Sequence, residues 1–579
     1  MGAHEGSALL RNGRPSPRGG ATPPPSPSPS PSPVDDALEH IGMGAYHVYL
    51  IALTGLAWTA ESMEMLLLSF IKQPLQCEWR ISDAQAALIT TAVAFGMLIG
   101  AYAWGRLADT YGRRPVFLAC TVTTFIFGVL SALAPSYPAM LLTRSAVGVG
   151  VGGVPVSFSV LMEFLPASSR GYWGMAISLF WALGAIFEAA VAMVVLPAFG
   201  WRNLILVSSL PLLLVIIMTV GLSESPRWLA THHRHQQAAH VLRRVASINR
   251  ADLPESYLSA TTAPSSPSQQ QPPPRRKSIT ELFVHHRVRL LTVTVFIMWF
   301  AAAFVYYALV MLQPEMLAAA GTSRSNCPAP APILPPHSTS QGLTTPATTS
   351  LRASLKEPID ACHQQLTRED FVSAFWASVG ELPGILLALI TIDLIGRRPV
   401  IAYTFAITAL CCILLQVCIS RSYQTILFFI ARGSSAGAFQ AVYLYTNEVY
   451  AADLRATAMG INSSVARAGL MISPLVAQYL ANVSLVSALW SLFAVGFAAV
   501  CASVALQVET TGRPMLQTTP DLVAVLSAGK PLAGLFGDNH FSNSSVIRWL
   551  RWRAHVDESP QLPRHHPLKH PTVQQQQQP

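Results

Sequence analysis

Five ionisable residues stand inside stretches that are otherwise apolar: Glu61, Glu64, Glu188, Glu381 and Arg467. At a bilayer centre each would cost at least about 2.5–3.5 kcal/mol if it faced lipid, so each must line a polar cavity or pair with another. A carboxylate so placed can hold a proton or face a cation, and an arginine can face an anion. Glu61 and Glu64 are three residues apart and are expected to share a helix face. Trp58, Trp181, Trp299, Tyr306, Tyr307, Tyr443 and Tyr445 fall on runs that would surround the same cavity. Carboxylates beside aromatic faces suit an organic cation, while the bland reading of each ring is packing or an interface anchor. Arg467 keeps an anionic solute open.

A second set of charges lies between apolar runs. Gly105–Val116 carries Asp109, Gly112, Arg113 and Arg114, and a shorter copy, Asp393–Val400, carries Arg397 and Arg398. The shared pattern is D-x-x-G-R-R-P-V. A carboxylate at a facing helix N-terminus is favoured by about 0.3–1 kcal/mol. Arginines can fork onto carboxylates such as Glu163 or Glu224, and Gly105 would let a neighbouring helix approach closely. Glu448 and Arg455 are the corresponding charges of the second copy. Such bonds can close one face of a molecule in one state and break in another; alternatively, the arginines only set orientation. In the second copy Ala388-Leu389 replaces Trp104-Gly105, so the stronger latch is expected in the first.

No Ser/His/Asp or Cys/His set has supporting context, so no enzyme and no cofactor are expected. Glycines 148, 150, 152 and 153 lie within an apolar run and lack the following Lys-Ser/Thr of a phosphate loop, which points to close helix packing. His232, His233 and His235 read as a solvated loop rather than a metal site.

The elements that must position these residues are set by composition. The 579 residues are 51% hydrophobic and only 12% charged, about half the charge of a soluble domain. The apolar runs are about 20 residues long, enough for a helix to cross a bilayer. A strand alternation that would build a closed barrel is absent, which leaves an all-α membrane protein. Runs fall near 46–71, 85–104, 115–134, 139–163, 172–197 and 203–222, then near 290–312, 371–392, 399–419, 424–450, 456–480 and 485–507. This predicts twelve transmembrane helices in two six-helix halves, 35–222 and 290–507, joined by a polar linker, 223–289. Residues 1–34 and most of 508–579 read as disordered from their Pro, Ser and Gln content, apart from a short helix near Val546–Arg553.

Orientation follows from arginine. Arg106, Arg113, Arg114, Arg170, Arg397, Arg398 and Arg455 occupy loops on one side, joined by the arginines of the linker. The positive-inside rule places that side, and both termini, in the cytoplasm. It also accounts for the net charge of +9 without nucleic acid as a partner. The Pro/Ser/Thr-rich loop 313–370 then faces the lumen or exterior. Among the loop cysteines Cys77, Cys327 and Cys362, the favoured disulfide is Cys327–Cys362.

The halves align at a nearly constant spacing of about 285 residues. Asp109, Arg144, Glu163, Arg170 and Glu224 match Asp393, Arg432, Glu448, Arg455 and Glu509. A duplicated pair of six-helix units is the parallel-repeat plan of one transporter fold. The G-x-x-x-D-x-x-G-R-R loop and its partner resemble the signature of the major facilitator superfamily. Arg144 with Gly148–Gly153, and Glu224-Ser-Pro-Arg-Trp-Leu229, resemble its sugar-porter and organic-ion branch. Leu53–Met65, Cys77-Glu-Trp-Arg80, Val151–Pro155, Glu163-Phe-Leu-Pro166 and Gly437–Tyr450 resemble the synaptic vesicle 2-related, SVOP-like proteins, with Glu61 where relatives usually carry Asp.

The resemblance implies a monomeric, multi-pass protein of a vesicle membrane, or alternatively the plasma membrane. It implies secondary transport of a small organic ion; the carboxylates beside aromatic faces favour a cation slightly, and an intramembrane glutamate is a candidate for proton coupling. The other reading is a vesicle-membrane ligand sensor or scaffold that retains the fold without transporting.

Overall fold

The structure is a computed structural model that describes residues 33–254, 256–257, 279–319, 367–417, 420–511, 516 and 518–528. Cys327, Cys362, most of the 313–370 loop and Val546–Arg553 lie outside the described residues.

Among the described residues, nine helical stretches are long and apolar enough to cross a membrane. One of them, Ser168–Thr219, contains two spans folded back at Gly200, whose φ of 79° is open to glycine at little cost. Two further helices, Arg421–Val449 and Ala452–Pro474, complete twelve. They fall short in hydropathy because they carry Arg432, Ser434, Ser435 and Asn447, and Asn462, Ser463, Ser464 and Arg467. The fold is an all-α membrane protein of twelve helices in two six-helix halves.

Three spans are interrupted, two near their middles and one toward its end. The fourth breaks between Tyr137–Val151 and Val154–Phe164, the eighth between Arg368–Val379 and Glu381–Ile395, and the eleventh passes from Ala452–Pro474 into a π-helical turn, Leu475–Leu480. Irregular backbone at such depth is tolerated where it is buried in protein or lines a cavity. The glycines of the fourth span serve close packing, as expected. A Cβ at Gly148 or Gly152 would run into the backbone of the second span, and one at Gly150 or Gly153 into Thr124 or Cys120 of the third.

The linker and termini depart from expectation. Pro226–Thr231 and His235–Asn249 are helices, and Ala238, Leu242, Val245 and Ala246 of the second are buried against the start of the first span. His235 therefore opens a helix instead of lying in a loop. The region expected to be disordered to residue 34 ends in a helix, Pro33–Ile41, which buries Val34, Ala37, Leu38 and Ile41. Its Asp35 meets Arg227 at 2.6 Å and Arg170 at 3.3 Å. After the last span, Thr519–Ala528 is also helical, with Leu522 and Leu526 fully buried.

Candidate functional site

The central charges sort into three arrangements. Two are buried ion pairs. Arg144 of the fourth span donates to Glu64 of the first at 2.7 Å, and Arg432 of the tenth donates twice to one oxygen of Glu381 of the eighth, at 2.5 and 3.1 Å. All four side chains are at most 1% exposed. Glu381 opens the second segment of its broken span, and its other oxygen accepts Tyr306 at 3.0 Å. The Tyr306 hydroxyl in turn accepts the Trp181 indole at 2.7 Å, so this chain of bonds crosses from one half to the other. Near Arg144, Glu188 accepts the Ser208 hydroxyl at 2.7 Å. One oxygen of Glu64, one of Glu188 and two nitrogens of Arg144 stay buried without a hydrogen-bond partner.

The third arrangement is different. Glu61 and Arg467 feel each other's charge but form no ion pair. Arg467 turns back onto the carbonyl and hydroxyl of Ser463, and one Glu61 oxygen and the Arg467 Nε are buried and unpartnered. Glu61 and Glu64 therefore do not act as one face, which corrects the expectation from their spacing: three residues apart, one meets the fourth span and the other the eleventh.

The rings around these two charges are continuous. Trp58 contacts Phe158 and Trp181 at 6.4 and 6.3 Å between centroids, and Trp181 contacts Tyr307 at 6.5 Å. Phe158 meets Tyr443 at 6.0 Å across the halves, and Tyr443 meets Trp299 at 5.7 Å. Trp299 donates to Thr446, and the fully buried Tyr445 donates to the Val508 carbonyl, so these two are held by their own half. A separate apolar groove of about 600 Å³, lined by Leu56, Phe180, Leu183, Phe187 and Leu214, contains none of these charges.

At the arginine-rich face the duplicated motif builds two similar clusters. Arg113 meets Asp109 at 3.0 Å and Glu163 at 2.8 Å. Glu224 accepts the backbone N–H groups of Arg113 and Arg114, capping the third span where positive partial charge gathers. Gly112, at φ 109°, makes room for that carboxylate, and Gly396, at φ 102°, does the same for Glu509. In the second cluster Arg397 meets Asp393 at 2.9 Å and forks onto both oxygens of Glu448 at 2.9 and 3.0 Å.

Four expectations change here. Arg114 does not fork onto a carboxylate; its guanidinium donates to the Val220 carbonyl, as Arg398 does to Val504. Arg455 donates to the Tyr450 carbonyl. A Cβ at Gly105 would meet no atom within 4 Å, so no helix is packed there. Finally, these arginine–carboxylate bonds lie within their own half and do not tie the halves together.

The opposite face holds what the sequence reading missed. Lys72, at the end of the first span, meets Glu315 of the seventh at 2.6 Å and Asp83 at 3.3 Å, and donates to the Gln478 carbonyl of the eleventh. Phe70 packs on Phe371, and one apolar cluster there takes in both halves, with Leu66, Met97, Val310, Phe371 and Leu470 among its members. On the arginine-rich face, the halves keep separate clusters. The only signal in the sequence was a lysine closing an apolar run.

The family described as Sugar (and other) transporter matches residues 44–328, and that described as Major Facilitator Superfamily matches 363–554. The chain is 35% identical over 486 residues to the Synaptic vesicle 2-related protein of Rattus norvegicus, covering 84% of this chain and 82% of that one. It belongs to the major facilitator superfamily. Another relative is the Organic cation/carnitine transporter 7 of Arabidopsis thaliana, 33% identical, with 77% of this chain and 87% of that one covered. In fold, the chain is similar to the inward-open conformation of the xylose transporter XylE from E. coli, with a TM-score of 0.58 at 17% identity, covering 84% of this chain and 100% of that one.

Proposed function

We propose that the protein is a secondary active transporter of a small organic ion, working by alternating access, with its arginine-rich face in the cytoplasm. The observation that carries this reading is the asymmetry between faces. The halves are joined through Lys72, Glu315 and Phe371 on one side and keep separate apolar clusters on the other, with charged and aromatic side chains between. A solute site closed to one side and parted toward the other is one state of a rocking two-half machine.

Closure of the arginine-rich face has a built place to occur. Thr91 of the second span donates to the Met471 carbonyl of the eleventh near the opposite face. Further along the same two spans, Gly105 and Gly460 both stand with no neighbour where a side chain would begin. Rocking would bring these bare backbones together, while the arginine clusters keep each half rigid. Proton coupling would use Glu64, whose partner Arg144 has spare donors and whose neighbour Glu188 is a second carboxylate. The names of the relatives support an organic ion as cargo and a vesicle membrane as location.

The test is uptake into proteoliposomes of the purified full-length protein under a pH gradient. Glu64→Gln should abolish the response to the gradient, and Asp109→Asn should slow uptake in either condition. Unchanged uptake in both variants would sink these roles, and a solute that stabilises the protein but never crosses would favour a ligand sensor.

A further inference from the structure

Within the site, Glu61 and Arg467 are the charges left uncommitted. Glu64 and Glu381 each have an arginine in hydrogen-bond contact, and Glu188 has Ser208. Glu61 is 5% exposed and has no hydrogen bond among the described residues, while Arg467 bonds only within its own turn. The atoms without partners are one Glu61 oxygen, the Arg467 Nε and the neighbouring Trp58 Nε1. Tyr307 interacts electrostatically with both charges and also has no hydrogen bond among the described residues. A buried charge without a partner is costly; two of opposite sign, close enough to feel each other yet not joined, invite a ligand that completes both.

We propose that this site takes an inner salt: a solute carrying an ammonium and a carboxylate on one short chain, its ammonium at Glu61 and its carboxylate at Arg467. This rests on the transporter reading above and names its cargo class. A simple cation would gain Glu61 and the faces of Trp58, Trp181 and Tyr307, but would bring its charge toward Arg467. A simple anion would meet the opposite conflict. An inner salt satisfies both charges, places its ammonium among the rings, and offers oxygens to Arg467 and Trp58. It also explains why the site spans the molecule's divide. Glu61 belongs to the first span and Arg467 to the eleventh, so a solute bridging them holds the halves at one spacing and favours the state in which that spacing fits.

The experiment measures binding of three matched probes to the full-length protein in nanodiscs: trimethylammonium butyrate, its methyl ester, and the carbon isostere in which tert-butyl replaces trimethylammonium. The wild type should bind the inner salt at least about tenfold more tightly than either of the others, the size of one charge-assisted hydrogen bond at Arg467 against the ester and of an ion pair with aromatic contact at Glu61 against the isostere. In Arg467→Gln the preference over the ester should vanish while that over the isostere remains. In Glu61→Gln the reverse should hold, and Arg467→Lys should keep most of the wild-type order. Because each result is a ratio within one variant, loss of folded protein does not imitate it. Equal binding of salt and ester by the wild type, an unchanged ratio in Arg467→Gln, or no binding by any probe overturns the proposal. The same proteoliposomes separate it from its premise. If the ester is carried and the inner salt is not, the cargo class is wrong and transport stands. If the inner salt binds with this charge dependence but never crosses, transport is wrong and the site stands.

Discussion

The two halves share a motif but not its degree of completion. In the first, Arg113 makes one bond to Glu163, whose other oxygen is buried without a partner. In the second, Arg397 forks onto both oxygens of Glu448, donates to the Ile392 carbonyl, and has a less exposed side chain, 11% against 20%. Glu448 also accepts the Thr510 hydroxyl at 2.6 Å. The same contrast recurs mid-membrane, where Arg432 donates twice to Glu381, which also accepts Tyr306, while Arg144 makes one bond and leaves two nitrogens idle. The longer motif of the first half suggested the stronger latch there; the bonding is stronger in the second. The residues just past Glu224 and Glu509 account for part of the difference. Ser225 spends its hydroxyl on starting the helix Pro226–Thr231, whereas Thr510 and Thr511 return theirs to Glu448 and Glu509. An ion pair with idle buried atoms can exchange partners more readily than one whose buried atoms are bonded.

Substitutions test that contrast. Arg432→Met takes both arginine bonds from the buried Glu381, leaving it only Tyr306, and should destabilise the protein by about 3–5 kcal/mol, read as thermal unfolding in detergent. Arg144→Met should cost less, because it removes one charge-assisted bond where Arg432→Met removes two. Equal losses would break the comparison. One step down, Arg397→Gln removes three charge-assisted bonds and should cost about 3 kcal/mol, and Arg113→Gln removes two and should cost about 2 kcal/mol; the reverse order would restore the first half as the stronger latch.

Lys72→Met removes an ion pair that joins the halves. It should shift the balance of states by roughly tenfold, about 1.4 kcal/mol, toward opening of the Lys72 face, measured as the distance between spin labels placed on the two halves there. The smallest effect on stability, within about 0.5 kcal/mol, is expected for Gly105→Leu, since nothing stands near that position. Its uptake should nevertheless fall to background, because the added side chain would block the second span from meeting the eleventh. Normal uptake by Gly105→Leu would refute closure at that point.

Much of the fold was legible because its signals are local. Runs of apolar residues marked most of the helices, and arginine placement together with the repeated D-x-x-G-R-R-P-V marked two related halves. His235–Asn249 was also legible in principle, since Ala238, Leu242, Val245 and Ala246 recur at helical spacing, but the polar run around them hid it. At the site, the residue types were readable and their partners were not. Arg144 and Arg432 looked like landmarks of duplication, and they turned out to hold Glu64 and Glu381. Lys72 looked like the end of an apolar run and proved to join the halves.

By itself, then, the sequence determined that this chain lies in a membrane as twelve helices, which side carries the arginines, and five of the charged residues that stand at mid-depth. Only the tertiary structure decided which of those charges are satisfied. Partner choice depends on helices brought together from distant parts of the chain, as Lys72 and Glu315 are, and helical spacing says nothing about that. It was that packing that left Glu61 and Arg467 facing one site with neither committed to the other.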